Sequence, residues 1–288
     1  MTHTLPAGLR AQVTIEGVPS RVLAGTRHPA RVTVRNTGSV SFDPVGPGRY
    51  SYRLGVRARD GRREWPPDRV DFSAPLRPGD ALSLPALITA PRAPGSYELE
   101  CRMILEMVGW FGKPSSSVRV EVEPLETEVL CLEAATTMVP GRVYGFSLEV
   151  RNRSRLPLGP VGPRPLAFRL GLVGSGVEAW GPRRVEFPEA LPPGQTIVLR
   201  DLRLCPAEPG RHELRWQLLQ EGSSWLGNPT DPLAVHVLAR PSGWTGGGAV
   251  AHFDPLAGGE PPMPTLADVE EVLSTHWRFV AGMRVDGD

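Results

Sequence analysis

The chain is written twice. The stretch VRNTGSVSFDPVGPGRYSYRLG from Val34 recurs as VRNRSRLPLGPVGPRPLAFRLG from Val150, an offset of 116 residues. EWPPDRVDF from Glu64 recurs as AWGPRRVEF from Ala179, LRPGD from Leu76 as LPPGQ from Leu191, and APGSYEL from Ala93 as EPGRHEL from Glu208, now offset by 115. One copy has therefore lost or gained a single residue at a turn near Asp60. A tryptophan phrase obeys the same rule, LEMVGWFGKP at 105–114 answering LQEGSSWLGNP at 219–229. A match this dense over a whole unit is a duplication, so each copy must close its own core within about 115 residues.

Inside each copy the apolar period is two. Val32 and Val34 alternate with Arg31, Thr33 and Arg35; Tyr97, Leu99, Cys101, Met103 and Leu105 alternate with charged residues, Ile104 being the exception; Val118, Val120 and Val122 alternate with Arg119, Glu121 and Glu123. That alternation predicts antiparallel strands with one face on a core and the other in water. Asn36 to Gly38, Asp60-Gly61, Pro78-Gly79 and Pro94-Gly95 supply the turns between them. About seven strands in roughly 110 residues, with no helix between them, predict an all-β, immunoglobulin-like sandwich. Tyr97, just after Pro94-Gly95, stands where such folds place a corner tyrosine; the second copy has His212 there, so its corner bond has to be made differently.

The predicted organisation is a first sandwich over residues 8–123 and a second over 126–240. The joint EPLETE (Glu123 to Glu128) is too short for free tumbling. A Gly/Pro-rich arm is expected over 241–264 and a single helix with a tail over 265–288. Thr265 and Asp268 resemble a helix start, and Leu266, Val269, Val272 and Leu273 fall on one stripe with Trp277 one turn on. An apolar stripe beyond a flexible arm has to be covered by its own sandwiches, by a second copy of the chain or by another protein.

Composition narrows the chemistry. Thirty-two basic residues stand against 31 acidic ones, a balance that excludes general binding to a nucleic-acid backbone. The only lysine, Lys113, precedes Pro114 and lacks the glycine spacing of a phosphate-binding loop. The six histidines are scattered and no Cys-x-x-Cys occurs, so neither a metal nor another cofactor is expected. No nucleophile elbow supports a hydrolase, which a panel of esterase and glycosidase substrates would test. The apolar runs fall short of a membrane span, and the start MTHTLPAGLRAQV lacks a secretory pattern. Three cysteines, an odd number at unmatched places in the repeat, argue against a disulfide framework; together these features predict a cytoplasmic protein without membrane insertion.

The candidate ligand-binding residues are the tryptophans and acids that recur in both copies: Trp65 and Trp180 before RVDF and RVEF, Trp110 and Trp225 past the long strand, and Glu106 and Glu221 beside them. A repeated tryptophan is first a plug for the end of a sandwich core, and second a surface on which a sugar ring stacks. The recurring charges Arg53/Arg169 and Glu98/Glu213 read as cross-strand pairs.

Pro94, Gly95, Tyr97 and Leu99, followed by Glu106, Gly109, Trp110 and Phe111, resemble the β-sandwich domain at the carboxyl end of bacterial O-antigen ABC-transporter ATPase subunits. They are also similar to sandwiches appended to some bacterial glycosyltransferases. The second copy offers Pro209, Gly210, His212 and Leu214, then Glu221, Gly222, Trp225 and Leu226. The likeness covers both repeats and not the tail, and the ATPase and transferase domains are absent. It implies glycan-associated binding, with neither transport nor sugar transfer inherited. The sequence therefore predicts a non-catalytic module that recognises a bacterial polysaccharide or a glycan-assembly partner. The alternative is a structural adaptor that docks through Leu266, Val269, Val272, Leu273 and Trp277, with homo-oligomerisation a further candidate.

Overall fold

The computed structural model describes residues 4–43, 51–59, 65–66, 68–181 and 184–239. The expected arm and C-terminal helix, with Leu266, Val269, Val272, Leu273 and Trp277, lie outside the described residues. The first repeat contributes β1 (Ala11–Glu16), β2 (Arg21–Leu23), β3 (Arg27–Asn36), β4 (Tyr52–Ala58), β5 (Arg69–Asp71), β6 (Ala81–Thr89), β7 (Gly95–Leu105), β8 (Gly109–Phe111) and β9 (Val118–Glu123). The second contributes β10 (Thr127–Glu133), β11 (Thr137–Met138), β12 (Val143–Asn152), β13 (Phe168–Val173), β14 (Val185–Glu186), β15 (Thr196–Leu204), β16 (Gly210–Gln220), β17 (Ser224–Leu226) and β18 (Leu233–Val237), with a 3-10 turn at Val177–Trp180. Described strands of 11–123 pair only with one another, as do those of 127–237.

Each repeat stacks two sheets in the immunoglobulin-like manner. The smaller are β1-β3-β6 and β10-β12-β15; the larger are β2-β9-β7-β4-β5 with β8 on β7, and β11-β18-β16-β13-β14 with β17 on β16. The antiparallel expectation fails at one equivalent place in each copy, where β2 runs parallel to β9 and β11 parallel to β18. The reason is that the first strand of each repeat breaks and changes sheets. In the first repeat the break is at Glu16-Gly17-Val18-Pro19, and Gly17 takes a φ of 76° that a side chain would resist.

Period-two alternation fills the space between the sheets. In the first repeat Val32, Val34 and Ile88 meet Leu54, Val56, Leu99 and Met103; in the second Phe146, Leu148 and Val150 meet Leu170, Leu214 and Leu218. Each fully buried aliphatic side chain contributes about 1.5–3 kcal/mol, the main force holding the layers together. The repeated Asn of VRN ends the strand before the first long loop. Asn36 Nδ2 donates to the carbonyls of Val40 and Leu76 at 2.8 and 2.9 Å, and Asn152 Nδ2 donates to Leu156 and Leu191, both at 2.9 Å. These bonds tie the loop back to the strand end, where the Leu76 and Leu191 carbonyls also accept from the Phe42 and Leu158 amides, both at 3.0 Å.

The copies part company at one core position. Cys101 of the first repeat is matched by Trp216, whose Nε1 donates to Asp201 Oδ2 at 2.7 Å; Arg203 Nε donates to the same oxygen at 2.8 Å, and Arg203 Nη1 to the Gly181 carbonyl at 2.9 Å. The first repeat has Ala86 and Ile88 at the places of Asp201 and Arg203. A buried ion pair is tolerable only when its remaining polar atoms are met, as they are here.

The repeats touch through the β2–β3 turn of the first and the β16–β17 hairpin of the second. Leu23 is buried among the second repeat's core residues, and Ser224 Oγ donates to the Gly25 carbonyl at 3.4 Å. Within the joint, the Glu126 amide donates to Ser154 Oγ at 2.9 Å, and that hydroxyl donates back to the Glu126 carbonyl at 3.1 Å.

Candidate functional site

The four recurring tryptophans separate into two pairs with opposite surroundings. Trp65 and Trp180 are buried, 6% and 3% exposed, and each meets the corner residue edge-on: Trp65 lies 5.6 Å from Tyr97 at 81°, Trp180 5.6 Å from His212 at 82°. Tyr97 donates its hydroxyl to the Ala93 carbonyl at 2.8 Å; His212 keeps the same four-residue reach, its Nε2 standing 3.1 Å from the Glu208 carbonyl. The imidazole therefore replaces the phenol as corner donor once its proton sits on Nε2. Burial leaves Trp65 and Trp180 to packing, in the role of core plugs.

Trp110 and Trp225 lie on the outward face of the larger sheets. Trp110 on β8 is opposite Ile104 on β7, and its indole crosses β7 to rest on Gly55 of β4. A Cβ added at Gly55 would come within 2.5 Å of Trp110 Cη2, a separation that carbon atoms do not tolerate. Trp225, opposite Leu219, rests likewise on Gly171, where an added Cβ would be 2.9 Å from Cη2. This also explains the break in alternation: Ile104 faces outward and is buried, consistent with cover from the indole paired opposite it.

Charged side chains fix each indole. In the first repeat the guanidinium groups of Arg57 and Arg69 stand 5.1 and 5.4 Å from the Trp110 ring centre. Arg69 Nε donates to Glu106 at 2.7 Å, Arg53 pairs with Asp71 at 2.7 Å, and Arg57 pairs with Glu100 at 2.6 Å. In the second repeat Arg184 stands 5.3 Å from the Trp225 ring; Glu221 accepts from Arg169 at 3.2 Å and lies 3.7 Å from Arg184, and Glu186 pairs with Arg169 at 3.1 Å. Glu106 and Glu221 thus join Trp110 and Trp225 in equivalent clusters. Arginine over an indole is held by the ring's quadrupole, by about 0.5–1 kcal/mol where water reaches it.

The clusters differ in access. The place of Arg57 is taken in the second repeat by Val173, so among the described residues one arginine rather than two lies over the ring, and Trp225 is 37% exposed. An open indole beside a guanidinium and a carboxylate can stack on an apolar ring face and hydrogen-bond its rim. Sequence reasoning did not single out Gly55, Gly171, Arg69 or Arg184 as site residues. The available signal was that RV recurs 41 residues before the tryptophan in both copies, and LG at a spacing that differs by the one residue lost or gained near Asp60.

Among the described residues no group of three His, Cys, Asp or Glu could hold a metal ion, and no helix is long and apolar enough to cross a membrane. The three cysteines are free thiols. Burial pushes Cys101 up to about 12, aided by Asp68 and Glu100, and Cys205 up to about 11. Cys131 also rises to about 11, again chiefly through burial. Thiols so protonated are poor nucleophiles at neutral pH.

No protein-family model matches the chain, and no curated protein matches it in sequence. Solved structures similar to it include a D1–D4 ectodomain fragment of ICAM-5, at 17% identity over 79% of this chain and TM-score 0.26. They also include the Yersinia pseudotuberculosis adhesin InvE, at 12% over 77% and TM-score 0.24, and a Salmonella alpha-2-macroglobulin reacted with methylamine, at 14% over 81% and TM-score 0.26. The chain spans 54%, 59% and 16% of those three structures. Its immunoglobulin-like character rests on its own strand order, two stacked sheets repeated twice.

Proposed function

We propose that this chain is a non-catalytic binding module that recognises a bacterial polysaccharide through the outward face of the larger sheet in its second repeat. The observation that carries the reading is the Trp225 cluster: an indole 37% exposed, seated on Gly171, with Arg184, Arg169 and Glu221 around it. A pyranose presents an apolar face of C–H groups and a rim of hydroxyls. The indole takes the first, and the guanidinium and carboxylate groups take the second. The likeness of both repeats to sandwiches from glycan-export ATPases supports the same ligand class. Trp110, under two arginines, is the less open counterpart and serves chiefly to brace its sheet.

The test is calorimetric titration of the full chain with a panel of bacterial polysaccharide fragments. Binding is expected for at least one, weakened at least tenfold by Trp225→Ala and much less by Trp110→Ala. Absence of heat across the whole panel, or equal losses in the two variants, would sink the reading.

A further inference from the structure

The two repeats treat the same sheet edge in opposite ways. β6 and β15 each stand at the outer edge of a smaller sheet, paired on one side only, with β3 and β12. In β6 the even-numbered residues face β3. The Asn36 amide donates to the Asp80 carbonyl at 2.9 Å and the Ala90 amide to the Thr26 carbonyl at 2.8 Å, with an unbroken register between them. The backbone groups of Ala81, Ser83, Pro85, Leu87 and Thr89 therefore turn outward. Two devices close that edge. Pro85 has no N–H to offer, and the Thr89 amide donates to Asp68 Oδ2 at 2.6 Å.

β15 has neither device. The Asn152 amide donates to the Gln195 carbonyl at 3.0 Å and the Cys205 amide to the Arg142 carbonyl at 2.7 Å, so odd-numbered residues face β12. Thr196, Val198, Arg200, Leu202 and Leu204 turn outward by the same alternation. Arg200 stands at the place of Pro85 and Leu204 at that of Thr89; in the sequence, Arg183 matches Asp68 and has no carboxylate. Among the described residues no strand pairs with the outer edge of β15. A regular strand of nine residues that no proline interrupts is a template for another strand.

The strand is also complementary to itself. Laid antiparallel against a second β15 about a twofold axis at Asp201, Val198 is opposite Leu204 of the second copy, and Leu204 opposite its Val198. Arg200 then lies opposite Leu202. Val198, Leu202 and Leu204 are 54%, 48% and 56% exposed, so their side chains can meet across the new pair. Apolar pairs opposite each other stabilise a ladder, whereas sliding one strand until Arg200 met its own copy would oppose like charges. The first repeat has Ser83 and Thr89 at the places of Val198 and Leu204, so its edge lacks the apolar pair as well.

We propose that β15 is a dimerisation edge, at which two copies of this chain join β15 to β15 and make one continuous sheet in the order β10-β12-β15-β15-β12-β10. Because the strand meets itself about a dyad, the contact closes at two copies and does not propagate. Pro85 and Asp68 keep the equivalent edge of the first repeat out of it. The contact lies in the smaller sheet and is independent of the Trp225 platform. An edge contact buries little surface, so the dimer is a weak one.

Sedimentation equilibrium of the full chain up to about 100 μM tests this. A monomer–dimer equilibrium is expected, and the outward amides of Val198 and Leu202 should exchange severalfold more slowly as the dimer fills. Val198→Glu/Leu204→Glu opposes carboxylates at both apolar pairs and should weaken the dimer about tenfold or more. Val198→Glu/Leu204→Arg is equally polar at the same exposed places but opposes unlike charges, and should hold the dimer within about threefold of the parent. A change in the sandwich alone would not follow the sign of that one charge. A chain that stays monomeric would overturn the proposal, as would a dimer that the two variants weaken equally. A dimer that neither variant touches would place self-association on another surface and overturn it too.

Discussion

The side-chain amide of Gln220 closes both backbone hydrogen bonds of Arg27. The Arg27 N–H donates to Oε1 at 2.7 Å, and Nε2 donates to the Arg27 carbonyl at 2.9 Å. Gln220 is 1% exposed at the end of β16, and Arg27 opens β3 of the other repeat, so one amide stands in for a strand partner across the joint. The first repeat has Leu105 at the equivalent place, buried in its own core. The place that is apolar in the first repeat is, in the second, the polar link that ties the copies together.

Gln220→Leu restores the first repeat's residue and leaves two backbone groups of Arg27 without partners. The unmet groups cost about 1–3 kcal/mol. Calorimetry should show a lower midpoint and a separation of the single transition into two, one per repeat. A transition of unchanged shape and position would mean that the bonds do not couple the repeats.

Gly55→Ala places a methyl group 2.5 Å from Trp110, and Gly171→Ala places one 2.9 Å from Trp225. Each indole has to leave its seat, and Gly55→Ala, with the tighter approach, should destabilise more, by about 1–3 kcal/mol. Near-ultraviolet circular dichroism and tryptophan emission report the displacement. Spectra identical to those of the parent would contradict the seating of the rings.

Trp180→Ala empties a buried site and should cost about 3–5 kcal/mol in denaturant unfolding. Trp225→Ala removes a ring already 37% exposed and should cost far less while carrying the loss of ligand binding. The reverse ranking would reassign the core and surface roles of the two recurring tryptophans.

His28 links stability to acid. Its Nε2 stands 2.7 Å from Thr26 Oγ1, whose own proton goes to the Leu23 carbonyl at 2.6 Å, so the imidazole is the donor to the hydroxyl. Burial lowers its pKa to about 4 from 6.5. Between those values the unfolded chain binds the proton that the folded chain refuses, so stability is full above pH 6.5 and falls as pH drops toward 4. The shift corresponds to about 3 kcal/mol at most. Denaturant melts from pH 7 to 4 should show the decline, and His28→Gln should flatten it; an equally steep decline in the variant would remove His28 as the cause.

The sequence alone determined the duplication, the sandwich class and the inward set of each strand, because side-chain alternation is local and a repeated phrase needs no structure to be seen. It also marked the corner position, where Tyr97 and His212 reach equivalent carbonyls, of Ala93 and Glu208. The tertiary structure decided which recurring tryptophans are core and which are surface. All four follow similar local patterns, and only the path of the chain across neighbouring strands sets Trp110 on Gly55 while burying Trp65 against Tyr97. It also decided that Gln220 faces Arg27, 193 residues away. Each of these depends on which strands become neighbours, and burial and hydrogen-bond satisfaction across long separations are properties of the assembled sheets.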